Sequence, residues 1–129
     1  MKVKAKGLNA ERELVRMFNE RGWRSVRVAG SGSIKYPAPD VIAARGSRRL
    51  VIECKTTKTK NQYLEKEQIG ELAAFAEALL AEPWVGVRFD NVKWFFVSLE
   101  DLKKTPSGYV VSLADAKMKG LLFEELAGD

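Results

Sequence analysis

Three ionisable residues fall where two predicted strands run side by side. Asp40 opens one apolar strand, and Glu53 and Lys55 stand two residues apart near the end of the next. Alternate residues of a strand point to the same face, so Glu53 and Lys55 project together, and a hairpin brings Asp40 beside them. Ionised groups at the end of a buried strand are costly unless they are paired or bind a metal ion. The pattern therefore predicts a small site with two carboxylates and one ammonium group.

Carboxylate oxygens without sulfur or imidazole ligands suit Mg²⁺, with Mn²⁺ as a substitute. Such an ion acts as a Lewis acid towards a phosphodiester and activates a water molecule. The Lys55 ammonium group would orient that water or stabilise charge on the phosphate oxygens. The alternative is a solvated Glu53–Lys55 ion pair at a sheet edge. The nearby Asp40, in a basic part of the chain, favours the metal site.

Residue periodicity predicts the elements that place these side chains. Helices are predicted over 8–22 and 65–81, and strands over 23–29, 40–44, 50–55, 84–89 and 92–97. A short helix after Ser98, a small edge strand at 109–111 and a helical segment at 120–126 complete the pattern. The order αβββαββ predicts one mixed α/β domain over residues 1–129 with a single central sheet.

Charge is divided unevenly along the 129 residues, whose net charge is +5. Residues 1–60 carry 15 Lys and Arg against 5 Asp and Glu, whereas residues 61–129 carry 7 against 12. The basic half favours a polyanionic partner. The absence of His excludes a Ser-His-Asp triad and a His-ligated zinc site, and the single Cys54 excludes a disulfide framework. No apolar run approaches the roughly 20 residues of a membrane-spanning helix, so we expect a soluble, intracellular protein.

The spacing of Asp40 and Glu53-Cys54-Lys55 resembles the signature of the PD-(D/E)xK nucleases. Within that superfamily the chain is similar to the archaeal-type Holliday junction resolvases. The resemblance covers most of the chain, through Lys6-Gly7, Ala10-Glu11-Arg12-Glu13, Val26-Arg27, Gly30-Ser31-Gly32-Ser33, Pro39 to Ala43, Ile52 to Lys55, Tyr63-Leu64 and Phe75-Ala76. It implies a restriction-endonuclease-like fold and a homodimeric, Mg²⁺-dependent endonuclease that nicks four-way DNA junctions symmetrically.

The same resemblance implies roles for individual residues. The acidic residues of the metal site would be Glu11, Asp40 and Glu53, the catalytic lysine Lys55, and a further metal ligand the backbone carbonyl of Cys54. Cys54 stands where Val or Met is more usual in the family, and its thiol is predicted to be a small buried apolar group. Considered alone, Glu11 is explained by the preference for an acidic residue in the first turn of a helix. These roles leave two acids of the basic half, Glu13 and Glu20, as ordinary helix surface.

DNA contacts are predicted at further positions. Arg12, Arg27 and Ser31 match family positions at the DNA or around the active site. The loop 30–33 lacks the Gly-Lys-Ser/Thr ending of a phosphate-binding loop. It also resembles the Gly-x-Ser-x-Gly turn that presents a nucleophilic serine, but the chain has no His to activate that serine. It is either a surface loop or an arm that reaches the DNA backbone, helped by Lys35 and Tyr36. In the second case Ser33 is also a predicted DNA contact.

A second basic segment follows the strand that carries Lys55. Lys58 and Lys60 would contact phosphates there, adding affinity and salt dependence without sequence readout. The alternative is that this segment is a solvated charged loop.

A homodimer would match the approximate two-fold symmetry of a four-way junction. The apolar segments available for its interface are the second helix, the strand pair with Trp84, Phe89, Trp94, Phe95 and Phe96, and Leu121-Leu122-Phe123. The alternative is that they are buried within the chain. Phe95 and Phe96 are adjacent in a strand and so must face opposite sides.

Other functions remain open at this stage. One is a restriction or repair nuclease of the same fold, and another is a non-catalytic DNA-binding protein. A membrane-surface role is disfavoured, because no segment is basic on one helical face and apolar on the other.

Overall fold

The computed structural model describes residues 2–30, 35–90 and 92–128, without the side chains of residues 2–6. It contains four helices and eight strands in this described part. In chain order they are α1 (Lys2–Glu20), β1 (Arg24–Arg27), β2 (Val41–Arg45), β3 (Arg48–Thr57), β4 (Asn61–Glu65), α2 (Lys66–Leu79), β5 (Glu82–Phe89), β6 (Trp94–Ser98), β7 (Lys103–Thr105), β8 (Gly108–Ser112), α3 (Leu113–Lys119) and α4 (Phe123–Ala127). A 3₁₀ turn, Leu99–Asp101, follows β6. None of the described helices is both long and apolar enough to cross a membrane.

The central sheet has five strands in the order β1-β2-β3-β5-β6. β3 and β5 are parallel, and the other neighbouring pairs are antiparallel. Helices cover both faces of this mixed sheet, which confirms the predicted fold class. The predicted hairpin over 40–55 is also confirmed, with Gly46 at a φ of 57° in the turn between β2 and β3. That left-handed backbone conformation suits glycine, which has no Cβ to clash.

A second sheet was not predicted. It has three antiparallel strands in the order β4-β8-β7, so the expectation of a single sheet is wrong. Residues 109–111 form a strand as predicted, but β8 lies in the middle of the small sheet and not at its edge. β4 and β7 carry many polar side chains and therefore lack the apolar pattern that predicts a strand. They are strands because they pair with β8.

The core has one layer on each side of the central sheet. Ile52 and Phe96 face α1, and Val51 and Phe95 face the opposite layer, where α2 packs. The adjacent residues Phe95 and Phe96 therefore face opposite sides, as predicted. The aromatic side chains of β5 and β6 proposed for a dimer interface are largely core residues: Phe89, Trp94, Phe95 and Phe96 are all buried.

The helices differ from those predicted in several respects. α1 begins at Lys2, and α3, which was not predicted, is capped by Ser112, whose Oγ accepts a hydrogen bond from the Asp115 backbone N–H at 3.0 Å. α2 ends at Leu79, two residues before the end predicted from the sequence. Leu80 adopts a left-handed φ of 56° and is 82% exposed.

Candidate active site

The β2–β3 hairpin carries Asp40 to the middle of β3. Val41 pairs with Ile52, and the backbone N–H of Asp40 donates to the Ile52 carbonyl at 3.1 Å. The Asp40 side chain then reaches along β3, where its Oδ2 accepts a hydrogen bond from the Cys54 backbone N–H at 2.8 Å. This bond fixes the orientation of the carboxylate, which is buried.

Glu53 and Lys55 lie on β3 beside this carboxylate. Lys55 Nζ lies 3.6 Å from Glu53 Oε2, and both side chains are largely buried. Burial raises the pKa of Glu53 to about 8, reinforced by the negative charge of Asp40 and a hydrogen bond with it, while Lys55 opposes the shift. The structure therefore brings Asp40, Glu53 and Lys55 together as the sequence pattern indicated.

Glu11 reaches the same region from α1. Burial raises its pKa to about 7, with a further contribution from Asp40, and the charge of Arg27 opposes the shift. Arg27 Nη1 lies 4.0 Å from Glu11 Oε1. Glu11 thus shares its electrostatic environment with Asp40, although it comes from a separate element.

The crowded carboxylates fit a divalent cation. With raised pKa values, Glu11 and Glu53 resist ionisation until positive charge arrives nearby. No three His, Cys, Asp or Glu side chains in the described ranges form a closed metal-binding group. Mg²⁺ does not need one, because it usually binds one or two carboxylates and keeps several waters or substrate phosphates as ligands. The donor set of Asp40, Glu53 and the Cys54 carbonyl, with Glu11 beside it, has the hard oxygen chemistry of such a site.

Cys54 contributes its backbone to this arrangement, whereas its thiol packs against the core layer under α1. Burial, with Asp40, Glu11 and Glu53 nearby, raises the pKa of the thiol well above its usual value. The thiol is thus held neutral, in agreement with its predicted place as a small buried group.

The predicted DNA-contacting residues have varied positions. Arg27 is half-buried beside Glu11, whereas Arg12 is exposed on α1. Lys58 and Lys60 are exposed in the turn between β3 and β4, and Lys35 is exposed with its Nζ 5.5 Å from the centre of the Tyr36 ring. The predictions for Ser31 and Ser33 lie outside the described residues.

Glu13 was predicted to be ordinary helix surface, and this is wrong. Its Oε1 accepts hydrogen bonds from Arg88 Nη1 at 2.6 Å and from Trp94 Nε1 at 2.9 Å. It therefore ties α1, which carries Glu11 and Arg12, to β5 and β6. Two signals in the sequence pointed to such an acceptor: a charged Arg88 among the apolar residues at the end of β5, and a core tryptophan whose indole N–H needs a partner. Glu20, by contrast, is exposed and pairs with Arg16 at 2.8 Å.

The chain is similar to known proteins over almost its full length. The family profile described as "Archaeal holliday junction resolvase (hjc)" matches residues 2–129. The crossover junction endodeoxyribonuclease Hjc of Archaeoglobus fulgidus is 33% identical over 134 residues, covering 98% of both chains. The Hjc protein of Sulfolobus acidocaldarius is 33% identical, over 98% of this chain and 89% of its own.

The fold is also similar to that of a solved structure from this family. The solved structure of Archaeoglobus fulgidus Hjc, described as a Holliday junction resolvase, superposes with a TM-score of 0.87 at 30% identity. The superposition covers 95% of this chain and all of the other. The chain belongs to the family of archaeal Holliday junction resolvases.

Proposed function

We propose that this chain is a structure-selective endodeoxyribonuclease that resolves four-way DNA junctions in recombination and repair by paired nicks. The observation that carries the proposal is the convergence of Asp40, Glu53 and Lys55 on one hairpin, in a chain of this family. The curated relatives are named as crossover junction endodeoxyribonucleases. The basic first half of the chain supports a DNA substrate.

The reaction we propose is Mg²⁺-dependent hydrolysis of a phosphodiester. Asp40, Glu53 and the Cys54 carbonyl would hold the ion, with Glu11 beside them, and Mn²⁺ would substitute for Mg²⁺. When bound, the ion supplies Lewis acidity towards the phosphate and lowers the pKa of a water molecule.

The protein's own groups supply orientation and charge. The Cys54 N–H holds the Asp40 carboxylate in a fixed direction, and Glu53 holds the Lys55 ammonium group close to it. Lys55 is then placed to donate a hydrogen bond to a phosphate oxygen, where negative charge grows during hydrolysis.

Basic side chains around this site would hold the DNA backbone. We assign this role to Arg12 and Arg27 near the carboxylates, and to Lys35, Lys58 and Lys60 on the surrounding surface. Ser31 and Ser33 remain predicted contacts. Contacts of this kind position the DNA without reading its sequence, which suits an enzyme that recognises the shape of a junction.

Two opposed nicks require two sites, so we propose a homodimer that acts on DNA inside the cell. Of the apolar segments considered, the end of α2 leaves the most surface free, since Leu79 is 38% and Leu80 82% exposed. The aromatic residues of β6 are buried within the chain and are not available.

The test is cleavage of a synthetic four-way junction with and without Mg²⁺, beside a linear duplex of the same sequence. We expect paired nicks near the junction centre in Mg²⁺ only. Glu53→Gln should abolish cleavage and retain junction binding, whereas the matched control Glu100→Gln, at an exposed glutamate, should cut normally. Equal cutting of the duplex would indicate another kind of nuclease. Junction binding without any cleavage would indicate a non-catalytic DNA-binding protein.

A further inference from the structure

A groove lies between the β3–β4 turn and α3, outside the candidate active site. It is lined by Lys60, Asn61, Ser112, Leu113, Ala114 and Lys117. We infer that this groove is an additional DNA contact, which takes the phosphate backbone of a junction arm beyond the point of cleavage. The inference rests on the proposed function and extends the DNA-binding surface into the acidic half of the chain.

The two walls of the groove are fixed to one another. The backbone N–H of Leu113 donates to the Lys60 carbonyl at 2.8 Å, and Asn61 pairs with Ser112 between β4 and β8. Ser112 also caps α3. Lys60 on one wall and Lys117 on the other are thus held by main-chain hydrogen bonds at each side of the same groove.

The lysines at this groove are not neutralised by the protein. Lys60 and Lys117, which line the groove, are exposed, as is Lys58 in the turn before it, and within the described ranges none of the three forms an ion pair. Some other cations of this chain are paired, for example Arg48 with Glu82, Lys55 with Glu53 and Arg88 with Glu13. Asp115 is the acid nearest in sequence to Lys117. It lies two positions away, about 200° around the helix, so it faces away from Lys117.

The position of the groove suits DNA that passes through the active site. β3 runs without interruption from Glu53 and Lys55 to Thr57, and Lys60 follows three residues later. Five residues span at most about 18 Å, so the Lys60 backbone lies within that distance of Lys55. At about 3.4 Å per nucleotide along a duplex, this is at most about five nucleotides from the phosphate being cut. Phosphate oxygens of the same arm can therefore reach both places.

The presence of a lysine at position 117 also has an explanation without DNA, because cations near the C-terminal end of a helix interact favourably with its macrodipole. Lys119 shares that property: it is exposed in the same last turn of α3. It is two residues from Lys117, and therefore on the opposite side of the helix, and it does not line the groove. Lys119 is thus a matched control.

The experiment measures the affinity for a labelled four-way junction against salt concentration, without divalent metal, for wild type, Lys117→Gln and Lys119→Gln. Each lost phosphate contact should lower the slope of log affinity against log salt by about 0.9, hence about 1.8 for a dimer that uses both grooves. We expect this change in Lys117→Gln and not in Lys119→Gln. A Lys60→Gln, Lys117→Gln double variant should lower the slope further. Unchanged melting temperatures check that the variants are folded.

Equal slopes for wild type and Lys117→Gln would overturn the inference, as would equal losses in Lys117→Gln and Lys119→Gln. Cleavage by the wild type is measured in parallel. A wild type that binds junctions without cutting them, together with a reduced slope for Lys117→Gln, would refute the nuclease and retain the groove. Normal cutting with unchanged slopes would refute the groove and retain the nuclease.

Discussion

The carboxylate of Asp40 accepts a hydrogen bond from the backbone N–H of Cys54 at 2.8 Å, across the hairpin of β2 and β3. A hydrogen bond from a main-chain donor to an ionised acceptor is stronger than a neutral one, and it holds the carboxylate in one orientation. Cys54 is followed by Lys55 and preceded by Glu53. One main-chain group therefore ties Asp40 to the segment of β3 that carries the other two ionisable side chains.

Asp40→Asn tests whether the charge of this carboxylate is needed. The amide oxygen can still accept from the Cys54 N–H, so the melting temperature and junction binding should change little. Cleavage should fall by about 100-fold or more, because a cation ligand worth several kcal/mol is lost. Single-turnover cleavage assays measure this, with Asp101→Asn at an exposed aspartate as the control. Near-normal cleavage by Asp40→Asn would contradict the assignment of the site.

The pH dependence of stability is a second test. The pKa values of Glu53, about 8, and Glu11, about 7, are raised in the folded chain, which therefore keeps protons that the unfolded chain has released. Without metal, the free energy of unfolding should fall as the pH rises from about 5 to about 8. Thermal unfolding across this range measures it, and Glu53→Gln should flatten the profile. A metal-free profile that is flat or rises would contradict the raised pKa values.

Cation binding should release protons for the same reason. Near pH 7 the Glu53 carboxyl group is largely protonated before the metal arrives, and a bound cation favours its ionised form. Calorimetric titration with Mn²⁺ in two buffers of different ionisation enthalpy measures the number of protons released. We expect release near pH 7, and much less in Glu53→Gln. Equal heats in both buffers for the wild type would rule out this linkage.

The attachment of α1 to the sheet is a further test. Glu13→Ala removes the acceptor for Arg88 and for the buried indole N–H of Trp94, and an unsatisfied buried donor costs about 1–3 kcal/mol. We expect a lower melting temperature and a higher Mg²⁺ requirement for cleavage, because Glu11 lies on the same helix. Glu20→Ala removes an exposed pair with Arg16 and should cost less than about 1 kcal/mol. Equal effects of the two substitutions would contradict the proposal that Glu13 attaches α1 to the central sheet.

The local features of the fold could be predicted from the sequence. The hairpin over 40–55 has apolar strands on either side of a short turn, and both signals lie within one segment. The strand predicted over 23–29 is present as β1, Arg24–Arg27. Because the site residues sit on this hairpin, the convergence of Asp40, Glu53 and Lys55 followed from local patterns.

The features that depend on distant pairing could not be predicted in this way. Asn61 pairs with Ser112, and nothing near Asn61 in the sequence indicates that partner. Leu80 continues an apolar stripe in the sequence but falls after the end of α2, where the helical spacing no longer applies. Arg88 and Trp94 each indicate the need for an acceptor, but that Glu13 supplies it is seen only once α1 packs on β5 and β6.

The placement of β3 has a consequence for the newly made chain on the ribosome. Glu53 and Cys54 lie beside Val85 and Gly86 of β5, which is synthesised about thirty residues later, after the whole of α2. A nascent chain that has already produced Glu11, Asp40, Glu53 and Lys55 still lacks the strand that covers one side of β3. The candidate site is therefore completed only after β5 has been synthesised.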